Sequence, residues 1–157
     1  MDEADFDRFV ERAVPRRAAR LVARGVWAEA EAVPASRAAY RRAFPQGLRT
    51  PDEHVCHIVR VADGQRVGEV WYSARLEGGL VQFWIEWIWI EPEHRRQGLA
   101  TAALEALEAE ARRRGAPRLG LDVWMDNPGA VELYRKLGFA ISRASMVKRV
   151  AGAPEPP

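Results

Sequence analysis

The segment HRRQGLATAALEALEAEARRRG, from His94 to Gly115, decides the fold, because a glycine stands between positive charge and an amphipathic repeat. Apolar residues recur after that glycine at the spacing of one helical face: Leu99, Ala100, Ala103, Leu104, Leu107 and Ala111. This period predicts a helix that begins directly after Gly98, ends at Gly115 and buries one face.

The start of this predicted helix has the features of an anion-binding site. The first backbone N–H groups of a helix lack partners within the helix and carry a partial positive charge. Gly98 leaves the backbone bare for close approach, while Arg95 and Arg96 add positive charge beside it. These features predict that the loop holds an anion such as a pyrophosphate. The simpler alternative, in which Gly98 only permits a tight strand-to-helix turn, stays open.

The rest of the chain alternates between helical and strand periods. The predicted elements are two helices (5–24, where Pro15 can kink the helix, and 34–44), a hairpin (54–62 and 66–74), a strand (80–90), the helix after Gly98, a strand (117–125), a helix (128–138) and one or two final strands within 139–150. Strand 80–90 is apolar at every odd position and largely apolar at the others, which is typical of a central strand. This order predicts an α/β fold with a mixed sheet and helices on both faces.

Composition and charge argue against several classes of protein. The chain has 157 residues, a formal net charge of +2 and a single cysteine. One cysteine cannot form an internal disulfide, and acidic residues interleaved with the arginines argue against nucleic-acid binding. No apolar run is long enough to span a membrane and the N-terminus is acidic, so we expect a cytoplasmic protein. Cys56 lies in a strand-like run and is expected to be a small buried residue.

A second motif, NPGAVELYRKLGF from Asn127 to Phe139, follows downstream. Together with RRQGLA, from Arg95 to Ala100, it resembles the paired motifs of the GNAT superfamily of acetyl-CoA-dependent N-acetyltransferases, in particular its small bacterial single-domain members. The resemblance covers residues 55–150 and implies a mostly antiparallel, twisted central sheet. In that fold the strands at 80–90 and 118–125 are splayed, and the gap between them admits the cofactor.

The resemblance also implies how the chain is divided and where acetyl-CoA binds. We expect one domain over residues 1–150, with N-terminal helices in 1–50, a cofactor-binding core in 54–150 and a disordered tail at 151–157. The expected cofactor contacts are Ile88, Trp89 and Ile90 on the strand, Arg95, Arg96, Gln97, Gly98, Leu99, Ala100 and Thr101 in the loop, and Asn127, Tyr134 and Lys136. A backbone N–H near Ile90 is expected to polarise the thioester carbonyl.

Three residues of the second motif have alternative interpretations. Tyr134 matches the family position whose hydroxyl protonates the leaving thiolate, although its helical spacing also fits a tyrosine packed in the core. Asn127 is expected to cap the helix whether or not it also contacts the cofactor. Lys136 is expected to reach the CoA phosphates or to be a solvated helix charge.

Glu86 is the candidate general base. It is the one acid within an apolar strand, and desolvation raises the pKa of a carboxylate. In relatives with a similar N-terminus the acid is expected one residue later, where this chain has Trp87. Asp122 is the second candidate base, and the alternative for Glu86 is a structural ion pair with an arginine such as Arg60 or Arg66.

These features together predict an enzyme that moves an acetyl group from acetyl-CoA to a primary amine by direct attack in a ternary complex. The alternative is an acyl-CoA-binding sensor or regulatory domain without transfer activity. The acceptor, a small molecule or a protein amine, is expected near the N-terminal helices and loops, whose acids are expected to be solvated surface: Glu29, Glu31, Asp52 and Glu53. We expect no metal, because His54 and His57 lack companions at ligand spacing, and a monomer or homodimer.

Overall fold

The computed structural model describes residues 1–146 and 148. The helices are α1 (Glu3–Ala23), α2 (Glu29–Ala43), α3 (Leu99–Arg113) and α4 (Pro128–Lys136), and the strands are β1 (Glu53–Val59), β2 (Arg66–Glu77), β3 (Leu80–Ile90) and β4 (Arg118–Leu121). Single 3-10 turns cover Gly47–Arg49 and Pro92–His94. The chain forms two compact units, one of Pro51–Ala140 with Met1 and one of Asp2–Thr50 with the described residues after Ala140. The predicted mixed α/β fold is confirmed.

The unit that contains residues 2–50 is helical. Asp2 caps α1, because its Oδ1 accepts a hydrogen bond of 2.7 Å from the N–H of Asp5. Pro15 lies inside α1, which continues through it to Ala23. Aromatic rings join α1 to α2, with ring centroids 6.0 Å apart for Phe9 and Tyr40. The predicted first helix is therefore confirmed within two residues at its start.

Helix α2 begins at Glu29, so the predicted start at Pro34 was wrong. Ala32, Ser36 and Tyr40 form one buried row at helical spacing on both sides of that proline. The buried hydroxyl of Ser36 also donates to the carbonyl of Val14 at 2.9 Å. This packing holds the helix together across a residue that removes one N–H from the helical ladder.

The sheet has the strand order β1-β2-β3-β4. β1, β2 and β3 pair antiparallel, and β3 pairs parallel with β4. The predicted hairpin turn at Asp63 and Gly64 is confirmed, with Gly64 in the left-handed region at a φ of 71°. One face of the sheet carries the core, in which Val70, Tyr72 and Ala74 face Ile88, Ile85 and Phe83 as cross-strand partners. Leu104, Leu107 and Ala111 of α3 complete that core.

A β-bulge interrupts β3 at Glu86. Trp71 of β2 pairs with Trp87, whereas the next residue, Tyr72, pairs with Ile85, so Glu86 is an extra residue in β3. The bulge changes the face on which side chains lie, because residues 81, 83 and 85 belong to the core side before it and residues 88 and 90 after it. The regular alternation expected for strand 80–90 therefore ends at Glu86.

Strand β4 is shorter than predicted. It pairs with β3 from Gln82↔Arg118 to Ile85↔Leu121 and ends there, rather than continuing to Met125. Among the described residues, β3 has no strand partner on its β4 side beyond Ile85. The two strands thus part at the bulge, as the resemblance implied, and we call the gap beside residues 86–90 of β3 the slot.

The predicted C-terminal strands are not present in residues 139–146. Ile141 and Met146 are exposed there, and an alternating apolar pattern forms a strand only where a neighbouring strand offers a partner. Residues 147, 149 and 150 of that prediction, and the predicted disordered tail at 151–157, lie outside the described residues.

Candidate active site

The anion loop, residues 95–101, connects the end of β3 to α3. Gly98 occupies the N-cap position of α3 with a φ of 76°, and Arg96 also lies in the left-handed region with a φ of 61°. The N–H of Ala102 donates to the carbonyl of Gly98 at 3.0 Å and so begins the helical ladder, which leaves the N–H groups before it without a helical acceptor. A Cβ on Gly98 would meet nothing within 4 Å, so the space beside this loop is open. The residues therefore fit an anion such as a pyrophosphate.

Arg95 links the anion loop to the end of β3. Its Nε donates to the carbonyl of Ile90 at 2.9 Å, and its guanidinium carbon lies 4.4 Å from the centroid of the Trp89 ring. The indole N–H of Trp89 in turn donates to Glu91 at 3.0 Å. These contacts bring together Trp89, Ile90 and Arg95, three of the predicted cofactor residues. They also fix the direction in which the anion loop leaves β3.

The slot exposes backbone of β3. Residues on an antiparallel strand direct their N–H and C=O groups alternately to the two neighbouring strands, so some groups of residues 86–90 face the side where β4 has ended. Such groups can accept an added extended chain as a strand would. Ile88, Trp89 and Ile90, the predicted contacts of the pantetheine arm, lie in this stretch.

Tyr134 lies on α4 and packs against the sheet core. Its ring meets Phe139 edge to face, with centroids 5.6 Å apart, and it is half-buried. Burial raises the pKa of the Tyr134 hydroxyl, which keeps the proton in place at neutral pH. Packing and the predicted proton donation are therefore compatible. Tyr134 and Glu86 form no hydrogen bond with each other in the described chain.

Asn127 and Lys136 stand at the two ends of α4. Oδ1 of Asn127 accepts from the N–H of Ala130 at 3.3 Å, which confirms the predicted cap. Nζ of Lys136 pairs with Glu132 at 2.6 Å on the exposed face of the helix. A cavity of about 450 Å³ lies along this helix, lined by Met125, Pro128, Val131, Glu132, Arg135 and Lys136.

Glu86 sits in the bulge with polar neighbours from β2. Its Oε1 lies 3.5 Å from the hydroxyl of Ser73 and 3.6 Å from Nη2 of Arg75. Glu86 is exposed as a residue, but only 28 % of its side chain is exposed, and this partial burial raises the pKa of the carboxyl, as the sequence predicted. Arg75 opposes that increase, and Glu53 adds to it. The predicted alternative partner Arg60 pairs instead with Asp63, at 2.6 Å in the hairpin turn.

Sequence reasoning missed the role of Glu53, which was expected to be solvated. Glu53 is only 8 % exposed, because its carboxylate accepts from the indole of Trp71 and from Arg75, each at 2.6 Å. No single residue signalled this position: Glu53 lies opposite Ser73, on the same face as these donors, because the register of β1 and β2 shifts between Ile58 and Val59. The other three acids of that expectation, Glu29, Glu31 and Asp52, are exposed.

Asp122, the second candidate base, follows β4 directly and is exposed. Its charge raises the pKa of Glu86, with a smaller effect than those of Arg75 and Glu53. Cys56 is exposed, so the prediction that it is buried was wrong; it lies on the edge strand β1, one side of which has no partner strand among the described residues.

Two further observations concern metals and membranes. In residues 1–146 and 148, no group of three or more histidine, cysteine or acidic side chains is placed to hold a metal ion. No helix in that part of the chain is long and apolar enough to cross a membrane.

The model of the acetyltransferase (GNAT) family matches residues 21–139. This chain belongs to the GNAT family. It is 33% identical over 150 residues to the uncharacterised N-acetyltransferase YdgE of Bacillus subtilis, a match that covers 96% of this chain and 95% of the relative. The crystal structure of YycN from the same organism, another uncharacterised N-acetyltransferase, superposes with a TM-score of 0.88 at 27% identity and covers 96% of this chain and 95% of YycN.

One relative with a named acceptor is similar over a shorter stretch. The [ribosomal protein bS18]-alanine N-acetyltransferase of Escherichia coli is 44% identical over 50 residues, which are 32% of this chain and 34% of that enzyme. Membership of the GNAT family makes the chain an acyltransferase of the N-acetyltransferase type. The mixed four-stranded sheet with its helices matches the fold of YycN, a structural neighbour from the GNAT family.

Proposed function

We propose that this GNAT member transfers an acetyl group from acetyl-CoA to a primary amine, by direct attack of the amine while both substrates are bound. One observation carries the proposal: pairing between β3 and β4 stops at Ile85↔Leu121, directly before the bulged Glu86. A carboxylate with a raised pKa therefore lies beside a stretch of β3 that has no neighbouring strand on its β4 side among the described residues, which suits proton removal next to a bound extended chain.

Different parts of the chain bind different parts of acetyl-CoA. The backbone of the anion loop holds the pyrophosphate, with Arg95 and Arg96 adding charge, and the backbone of residues 88–90 pairs with the pantetheine arm. A backbone N–H near Ile90 polarises the thioester carbonyl. Acetyl-CoA supplies the activated acetyl group. Asn127 and Lys136 complete the cofactor contacts, and for Lys136 this means exchanging its partner Glu132 for a phosphate.

Two side chains move protons in this proposal. Glu86 takes a proton from the acceptor ammonium, through water, because only the neutral amine is nucleophilic. Burial supports this role, since a carboxylate with a raised pKa is a stronger base once ionised. As the C–N bond forms and the C–S bond breaks, the Tyr134 hydroxyl protonates the leaving thiolate, and its raised pKa keeps that proton available. The proton that the attacking nitrogen loses on forming the amide returns to Tyr134 through water.

The acceptor is a small amine or an amino group of a protein. The partial similarity to an enzyme named for ribosomal-protein alanine makes a protein α-amino group one candidate. The enzyme is proposed to act in the cytoplasm as a monomer or homodimer. An acyl-CoA sensor that binds without transfer is the second candidate function, because binding needs only the slot and the anion loop.

The test is a reaction of pure protein with acetyl-CoA and a pooled panel of amines, polyamines, aminoglycosides and N-terminal peptides, with products read by mass. We expect one acceptor class to gain an acetyl group and Glu86→Gln to reduce that product. A product that survives Glu86→Gln unchanged would move the base to Asp122. Acetyl-CoA binding with no product across the panel would favour the sensor.

A further inference from the structure

An ion pair between the buried Glu53 of β1 and the exposed Arg75 of β2 lies beside Glu86. Glu53 of β1 uses both carboxylate oxygens: Oε2 accepts from Nε1 of Trp71, and Oε1 accepts from Nη2 of Arg75. Its side chain is 6 % exposed, whereas that of Arg75 is 59 % exposed. A buried carboxylate needs such donors to offset its desolvation, and each short charge-assisted bond fixes its donor in turn. Glu53 is therefore the anchor, and the exposed Arg75 takes its position from it.

Arg75 lies between two carboxylates. Its Nη2 is 2.6 Å from Oε1 of Glu53 and 3.6 Å from Oε1 of Glu86. The first distance is a hydrogen bond, and the second is an electrostatic contact without one. The hydroxyl of Ser73, at 3.5 Å, approaches the same Oε1 of Glu86. Glu86 therefore lies close to the positive charge of Arg75. The hydrogen bond from Arg75 to Glu53 keeps the guanidinium from pairing more closely with Glu86.

The bulge in β3 explains why the Glu53–Arg75 pair affects the position of Glu86 in particular. As the extra residue of β3, Glu86 has no opposite residue on β2 to fix its position. The residues on either side of the bulge do pair, with Trp87 opposite Trp71, whose indole also binds Glu53. The same tryptophan therefore connects the anchor to the strand position next to the bulge.

We propose that Glu53 and Arg75 are positioning residues that direct the Glu86 carboxylate and set its state of ionisation. The proposal rests on the proposed function of Glu86 as the base. Four groups act on the ionisation of Glu86 besides its burial: Arg75 and the hydrogen bond from Ser73 favour the charged form, and Glu53 and Asp122 disfavour it. They come from β1, β2 and the segment after β4, and Arg75 and Glu53 have the largest effects.

We expect substitutions at Arg75 and at Glu53 to shift the pKa of Glu86 in opposite directions. Arg75→Gln removes the cation and leaves two carboxylates close together, so the pKa of Glu86 rises. Glu53→Gln removes an anion and releases Arg75 to pair directly with Glu86, so the pKa of Glu86 falls. Arg75→Lys keeps the charge and restores most of the wild-type value, although a lysine cannot reproduce the geometry of the guanidinium.

The experiment titrates Glu86 itself and the reaction in parallel. Carboxyl carbons labelled with ¹³C are followed by NMR against pH, and the Glu86 signal is assigned by its loss in Glu86→Gln. The pH dependence of kcat/KM is measured for the same proteins. We expect the acidic limb of Arg75→Gln to move to higher pH, with kcat/KM reduced about threefold or more on that limb and largely recovered on the high-pH plateau. Glu53→Gln moves the limb to lower pH and lowers the plateau, because a weaker base remains.

Arg60→Gln is the matched control, since Arg60 pairs with Asp63 in the hairpin turn and does not act on Glu86 in the part of the chain that the structure describes. It should leave both the NMR titration and the pH profile of Glu86 in place. Thermal denaturation confirms that each variant is folded; Arg75→Gln and Arg75→Lys provide the test if the buried Glu53→Gln does not fold. The proposal is overturned if Arg75→Gln leaves the pKa of Glu86 where it is, or moves it down.

Failure of this inference can be told apart from failure of the proposed base. If Glu86→Gln keeps full activity and the acidic limb, Glu86 is not the base, whatever the NMR titration of the variants shows. If Glu86→Gln abolishes the limb but neither Arg75→Gln nor Glu53→Gln moves it, the base stands and the positioning pair is wrong.

Discussion

The indole of Trp84 lies against Gly120, its register partner across the parallel pair of β3 and β4. A Cβ on Gly120 would stand 2.3 Å from Cζ3 and 2.5 Å from Cε3 of Trp84, closer than carbon atoms can approach. This contact sits one residue before the end of the β3–β4 pairing. The spacing of β3 and β4 where their pairing ends, and with it the width of the slot that begins there, therefore depends on a glycine at position 120.

Gly120→Ala is expected to destabilise the protein by about 1–3 kcal/mol, the usual cost of overpacking a filled site. Because the indole must move or the strands must separate, we also expect the Kd for acetyl-CoA to increase. Thermal denaturation and titration calorimetry measure the two effects. Gly129→Ala is the matched control, since a Cβ there meets nothing within 4 Å inside α4. Equal stability of the two variants would contradict the packing described here.

Gly98→Ala is expected to weaken acetyl-CoA binding about tenfold by placing a methyl group where the anion approaches. It also strains a residue with a φ of 76°, at a cost of about 1–2 kcal/mol. Gly64→Ala separates the two effects, because Gly64 has a similar φ of 71° and open space but lies in the hairpin turn. The two variants should lose similar stability, and only Gly98→Ala should lose affinity. Equal affinity in both would leave Gly98 as a turn residue only.

Tyr134→Phe is expected to lower kcat by about 100-fold or more, the usual contribution of a positioned proton donor, with little change in the Kd for acetyl-CoA. Tyr72→Phe is the control: it removes a hydroxyl from another core tyrosine, one that stacks on Phe83. Steady-state kinetics with calorimetry separates kcat from binding. Parallel losses of kcat and affinity in Tyr134→Phe would assign it a packing role instead.

Glu86→Gln should lower activity and yet stabilise the protein at neutral pH. Burial raises the folded-state pKa of Glu86, so its contribution to stability is fully present below the unfolded-state pKa and is lost as pH rises through the folded-state pKa. At neutral pH the ionised Glu86 is therefore a cost that glutamine removes. Thermal denaturation at about pH 4 and about pH 7.5 tests this sign. A Tm for Glu86→Gln that is below wild type at the higher pH would contradict it.

Local patterns predicted most of the fold. The boundaries of β3 and the starts of α3 and α4 follow from strong signals: an apolar run, a glycine before an amphipathic repeat, and Asn127-Pro128 at a helix start. The end of β4 and the strands predicted within residues 139–146 were wrong, because a short strand forms only where another strand accepts its hydrogen bonds. No sequence pattern near Leu121 indicates where the pairing of β4 with β3 ends.

In the site, too, the features that depend on local sequence were predicted, and those that depend on strand register were missed. The partial burial of the Glu86 side chain follows from its apolar neighbours, and the direction of its pKa shift was predicted correctly. The bulge at Glu86 was not, because it depends on the register of Trp71 and Tyr72 against β3 rather than on any single residue. Glu53 and Arg75 were missed for the same reason: they lie 22 positions apart in the chain and meet only once β1 and β2 are paired in register.

Titration of ¹⁵N-labelled protein with acetyl-CoA tests most directly whether the slot and the anion loop form one cofactor site. We expect saturable amide shifts concentrated in residues 86–90 and 98–101, and a Tm that rises with ligand, corresponding to ~2.7 kcal/mol at 100 times the Kd. Desulfo-CoA, which lacks the thiol, should shift the anion-loop amides to a similar extent. Saturation with no shift in residues 86–90 and 98–101, or the absence of binding at millimolar acetyl-CoA, would contradict the site on which the proposed transfer depends.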